Sequence, residues 1–167
     1  MPNWCNNMLV IDGQPERLRA FMEKSKVGED AFTFSGLVPR PEDIGDGWYD
    51  WSNENWGTKW EPSVTSIDDD DDYEVVIQFE TAWGPPGAYV KAVAAMYPDL
   101  TFSLSYAEPG MGFGGVMTLE GGVVVDSKEA RSAVEAANLS EWHEHQMGLE
   151  DADDVSDPDE DEDEEEE

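Results

Sequence analysis

Twice along this chain an alternating stretch gives way to proline and then to apolar residues at helical spacing. This repeated strand–helix order restricts the fold more than any other feature. In the first unit Asn7 to Asp12 reads as a strand ending at Gly13. Pro15 then opens a helix to Lys26, with Glu16 against the positive end of the dipole and Leu18, Phe21 and Met22 on one face. Phe32 to Val38 reads as the next strand, closed by Pro39 and Pro41. In the second unit Tyr73 to Thr81 sets Val75, Ile77 and Phe79 on one face. Pro85 and Pro86 open a helix with Tyr89, Val93, Met96 and Tyr97 inside, ended by Pro98. Thr101 to Tyr106 follows, with Phe102, Leu104 and Tyr106 on one face. Two such units joined antiparallel give an α+β fold, a ferredoxin-like βαββαβ sandwich with two helices on one face of a sheet.

Val116 to Leu119 and Val123 to Val125, joined around Gly121-Gly122, predict a hairpin that extends the sheet. A helix is expected from Ser127 to Ala137, capped by Asp126 with Glu129 three positions on, and Ser140 caps a last turn ending at Gly148. The organisation read from these signals is a ferredoxin-like domain with its hairpin over 1–125, a C-terminal helical segment over 126–148 and a disordered acidic tail over 149–167. The tail has 14 acids and no Lys or Arg between Glu150 and Glu167, too little apolar content to fold.

Of the 40 Asp and Glu, 26 lie before the tail, against all 9 Lys and Arg, so the globular part carries −17 of the −31 total. Such a field repels phosphate backbones and anionic lipid, which excludes a basic nucleic-acid patch and disfavours membrane surfaces. Three causes of the acidity compete: solubility or adaptation to a high-salt cytoplasm, a tail that docks on a basic partner, and carboxylates that imitate nucleic-acid phosphates. The single cysteine, Cys5, leaves no intrachain disulfide or cysteine-rich metal site, and burial in the first strand is its expected place. Without a basic leader or a long apolar run, the chain reads as soluble and cytoplasmic.

Residues 42–72 show no clear period yet hold four tryptophans. Trp48, Trp51, Trp56 and Trp60, with Asn53, Asn55 and Lys59 among them, offer aromatic walls, amide donors and one cation to a small ligand or a partner. Trp83, between the second strand–helix pair and flanked by Gly84, can close the same wall. The competing reading makes these indoles a lid on the open face of the sheet. Other constellations carry less. Gly110, Gly112 and Gly115 match G-x-G-x-x-G, but a strand follows where a phosphate-binding helix is required. Asp68 to Asp72 lacks the Gly and Glu of a calcium loop, since Tyr73 and Phe79 stand at those positions. His143 and His145 point to different sides of a surface helix rather than to one metal. Pro2 would need a neighbouring basic cluster to act as an N-terminal base, and none is identifiable. No catalytic residue, metal ligand or cofactor is therefore assigned.

The strings M-P-N-W-C-N-N at Met1 to Asn7, L-V-P-R-P at Leu37 to Pro41, W-Y-D-W at Trp48 to Trp51 and N-W-G-T-K-W at Asn55 to Trp60 occur together. They are followed by F-E-T-A-W-G-P-P at Phe79 to Pro86 and Y-A-E-P-G-M-G-F-G-G at Tyr106 to Gly115. In this order they resemble the YubB-like, ferredoxin-like-domain family of conjugative plasmids and phages. The resemblance spans roughly Met1 to Val125. It implies a ferredoxin-like fold and a mobile-element setting, and brings no established activity. The expected function is a non-enzymatic accessory protein that binds a host macromolecule, such as a basic protein, or a small ligand in takeover or defence evasion. The alternative is an enzyme using 48–60 as its pocket. The sequence leaves the oligomeric state open.

Overall fold

Alternation in β1 (Trp4–Asp12) places Leu9 and Ile11 on one side and Met8 and Val10 on the other, so this strand serves two faces. In this computed structural model, which describes residues 2–148, β1 is the middle of a six-stranded sheet. The acidic tail expected over 149–167 lies outside the described residues. The chain continues through α1 (Pro15–Ser25), a short 3₁₀ turn (Gly45–Gly47), α2 (Trp48–Asn55), β2 (Ser63–Asp68) and β3 (Glu74–Ala82). Next come α3 (Gly87–Met96), β4 (Thr101–Glu108), β5 (Phe113–Glu120), β6 (Val123–Ala130), α4 (Ala133–Ala137) and α5 (Glu141–Met147). Strand order is β2-β3-β1-β4-β5-β6, every pair antiparallel, with Leu9 opposite both Ile77 and Leu104. The first four strands with α1 and α3 are the ferredoxin-like sandwich, and β5 and β6 extend it beyond β4.

The core lies between the sheet and α1 and α3. Leu9, Ile77, Phe79, Phe102 and Leu104 meet Phe21 from α1 and Tyr89, Val90 and Val93 from α3. Ring edges interlock there, Phe21 5.6 Å from Phe102 and Phe34 4.5 Å from Tyr89. Burying each such side chain contributes about 2–3 kcal/mol. Met96, expected inside, is half exposed; Val90 and Ala94 take the inner positions of α3.

The predicted strand at Phe32 to Val38 is irregular chain. Phe32 and Phe34 are buried as the alternation requires, but their backbone finds no strand neighbour. The Phe34 and Ser35 N–H groups donate to the Glu61 carboxylate at 2.6 and 3.1 Å, and Thr33 N–H donates to Ser25 O at 2.9 Å. A side chain thus satisfies donors that a ladder would otherwise satisfy. The strand position is filled by β2, an edge strand so exposed that it has no apolar pattern. The helix expected from Ser127 is likewise corrected. Gly121 and Gly122 both have positive φ, 58° and 80°, the two-residue turn whose twist suits a hairpin. The ladder therefore runs on to Ala130 opposite Gly114, and Asp126 lies opposite Thr118 instead of capping a helix. Ser132 is the cap, accepting from Glu135 N–H at 3.2 Å.

The helices α4 and α5 cover one end of the sheet face opposite α1 and α3, where Ala107 and Ala130 meet Ala136 and Met147. Gly114 makes the approach possible: a Cβ there would stand 3.1 Å from that of Ala136. His143, expected on a surface helix, is fully buried at this contact. Its Nε2 donates to Gly115 O at 3.0 Å, so Nδ1 is left to accept from the Ser140 hydroxyl at 2.7 Å. Burial holds its pKa below the ordinary histidine value. The indoles of residues 48–60 are not the cover of this face.

Candidate binding surface

The stretch from 48 to 60 is ordered by α2, a helix without a clean apolar stripe. Ser52, Asn53 and Asn55 bond back to the carbonyls of Trp48, Tyr49 and Trp51 at 2.7–2.9 Å, which masks their polarity within the helix. One N–H of each of the Asn53 and Asn55 amides is thus engaged inside α2. Trp51 packs on the core, its ring 5.4 Å from that of Trp56 and nearly perpendicular to it. Trp56 is 1% exposed, and its indole N–H donates to Val38 O at 2.9 Å. It is a core residue that also borders the cleft beside Arg40 and Trp48.

Beyond Trp56 the chain folds against the start of α3. Trp56 O accepts from Tyr89 N–H at 3.2 Å, and Gly57 has φ 85°, with Pro85 O only 3.1 Å from where a Cβ would stand. Thr58, buried, donates to Ala82 O at 3.0 Å. This turn sends Lys59 and Trp60 to the surface at the sheet end where β1 begins and β3 stops. Trp60 lies 6.3 Å from Trp4, and Lys59 Nζ lies 4.5 Å from the Trp60 ring and 6.0 Å from that of Tyr49.

Trp83 joins the same end. Trp4 pairs with Ala82, and the next N–H, that of Trp83, donates to Asn3 O at 2.8 Å. Its φ is 71°, the left-handed region that a bulky side chain avoids, and it is 52% exposed. Neighbours hold it there: Thr58 bonds to Ala82 O and Thr81 to Gly84 O. Trp4, which sequence reasoning left out of the site, and Tyr49 are exposed beside Lys59 and Trp60. No local signal could have joined Trp4 to Trp60; only strand pairing does. Trp48 lies elsewhere, against Arg40 in a separate cleft of about 510 Å³. The predicted residues therefore divide into a core pair, a cleft residue, two helix-bound amides and an exposed aromatic end with one lysine.

Burial first, and then the charge of Glu108, push the Cys5 thiol up to about 12, far from a reactive thiolate. Among the described residues no group of His, Cys, Asp and Glu gathers to hold a metal, and no helix is long and apolar enough to cross a membrane.

The family model described as the ferredoxin-like domain in Api92-like protein matches residues 55–167. The chain belongs to that family. The matched span includes Trp56, Lys59, Trp60 and Trp83, so part of the aromatic end falls within the Api92-like domain, whereas Trp4 and Tyr49 fall outside the match. The chain is also similar to the crystal structure of protein api92 from Yersinia pseudotuberculosis, with a TM-score of 0.63 and 11% identity over 78% of this chain and 98% of that one. At that identity the two share a fold. No curated protein matches the chain.

Proposed function

We propose that this protein is a non-enzymatic binding protein of a mobile element, a phage or a conjugative plasmid, and that it docks a basic host protein on the aromatic end of its sheet. The observation that carries this reading is the exposure of Trp4, Trp83 and Tyr49, with the half-buried Trp60 6.3 Å from Trp4, at one end of an acidic domain. Tryptophan and tyrosine are the residues that anchor interfaces, because each covers a large area with few rotors. Asp46, Asp50 and Glu54 are exposed along and just before α2, next to that end, and supply long-range attraction for a cationic surface. A left-handed tryptophan held by its neighbours supports the same reading, since such strain persists where surrounding structure has a use for it.

The mobile-element setting rests on the resemblance of the tryptophan and glycine strings to the YubB-like family. Within it, carboxylates that stand in for phosphates would occupy a host protein that ordinarily holds nucleic acid. The test is capture from host lysate with the full chain and with a Trp4→Ala/Trp60→Ala variant, followed by titration of the captured protein at rising KCl. A basic protein bound by the parent, released by salt and lost with the two indoles is the expected outcome. Equal capture by both chains would remove the aromatic end from the interaction.

A further inference from the structure

Arg40 lies against two indole rings with its Nε buried. The ion pairs among the described residues are Arg17–Asp99 and Lys26–Glu23, so Arg40 has no carboxylate within reach in a domain rich in them. Its guanidinium carbon lies 5.1 Å from the Trp56 ring and 5.5 Å from the Trp48 ring. The Arg40 Nε is buried and has no hydrogen-bond partner. Pro39 and Pro41 restrict the backbone on either side of it. The cleft it lines, about 510 Å³, has the size of a small-molecule site, with Trp48, Ile44 and Ser35 on its walls. Glu61 also borders it, but both its oxygens accept from the backbone of Phe34 and Ser35.

We infer that this cleft binds a small aromatic carboxylate, received by the Arg40 guanidinium and stacked on the Trp48 indole. The site stands apart from the aromatic end of the sheet and does not depend on the docking proposed there. A guanidinium presents parallel N–H donors that match the two oxygens of a carboxylate, and the rings at its sides fix the direction of that fork. The buried Nε supplies a donor that nothing in the protein accepts. Charge selects among anions. Glu42 and Glu61 border the one cation, so a phosphate dianion is repelled more strongly there than a carboxylate monoanion held on the guanidinium. The half-buried indole of Trp48 gives a flat apolar body a place to lie.

The experiment titrates the full chain with indole-3-carboxylate, with the corresponding neutral carboxamide and with inorganic phosphate, following heat and tryptophan fluorescence. Saturable binding of the carboxylate, weaker by roughly tenfold or more for the carboxamide and for phosphate, is expected. Arg40→Gln should remove binding, and Arg40→Lys should weaken it because the fork is lost while the charge stays. Arg40 leans on the buried Trp56, so the parent protein is also followed by nitrogen-15 spectra of the arginine Nε–H groups. A carboxylate-dependent shift confined to Arg40 supports the site without any mutation. No saturable binding by the parent, equal binding of the carboxamide, tighter binding of phosphate, or an unmoved Arg40 Nε–H signal would each overturn the inference.

Discussion

Trp56 and Trp60 are four residues apart in one tryptophan-rich segment, yet one is sealed in the core and the other helps form an exposed aromatic surface. Their intrinsic chemistry is the same. What separates them is the turn at Gly57 and Thr58, which pins Trp56 beneath the start of α3 and carries Trp60 out to Trp4. His143 and His145, two residues apart, repeat the contrast: the first is fully buried and the second exposed. In both cases composition identifies a segment as unusual, and the place of each residue relative to a strand end or helix decides whether it stabilises or presents a surface.

The largest expected effect tests that division directly. Trp56→Ala empties a site among Phe34, Trp51 and the core and leaves Val38 O without its donor. It should cost about 3–5 kcal/mol in denaturant unfolding. Trp60→Ala should cost less than about 1 kcal/mol, as a change at a half-exposed site. Similar losses from both would mean that the aromatic end is a satellite core. The turn between them comes next. Gly57→Ala forces a Cβ into a backbone with φ 85° and against Pro85 O, and should cost about 1–3 kcal/mol. If it leaves the unfolding midpoint in place, the turn is not what separates the two indoles.

The histidine pair sharpens the contrast through pH. The folded pKa of His143 lies below the unfolded value of about 6.5. Between the two, the unfolded chain binds a proton that the folded one does not, so stability rises with pH across that window. The contribution of neutral His143 is full above about pH 6.5 and is lost as pH falls through the lowered folded value. Acid repulsion runs the other way. Glu74, raised by burial and by Asp12, Asp71 and Asp68, gains from protonation. Comparing the parent with His143→Gln by thermal melting between pH 5 and 7.5 isolates the histidine: the parent should gain more stability on going up in pH. Parallel curves would remove His143 from the docking of α5.

Much of the fold was readable because period and punctuation agree. β1, α1, β3, α3 and β4 each combine a clean apolar period with glycine or proline at their ends. β2 was not, since an edge strand of Ser63, Val64, Thr65 and Ser66 faces water and need not alternate. The alternation of Phe32 and Phe34 is real burial, but a carboxylate 27 residues away from Phe34 replaces the ladder, and no local pattern announces that. For the candidate site the residue types were visible in Lys59, Trp60 and Trp83. Their meeting with Trp4 depends on the register that sets Trp4 opposite Ala82.

The smallest expected effect concerns Trp83, where strain and exposure coincide. Its left-handed backbone costs about 1–2 kcal/mol for a residue with a Cβ, and glycine removes that cost. Glycine also gives back about 0.5–1 kcal/mol of chain entropy to the unfolded state, so Trp83→Gly should change stability by less than about 1 kcal/mol. Trp83→Ala keeps the strain and loses the same indole. The Gly variant should therefore melt higher than the Ala variant, and that difference reads the backbone alone. Partner binding responds differently. If Trp83 belongs to the docking surface, both variants lose affinity equally, because both lack the ring. Retained binding in Trp83→Gly with loss in Trp83→Ala would show that the loop geometry matters and the indole does not, and would leave Trp4 and Trp60 as the anchors.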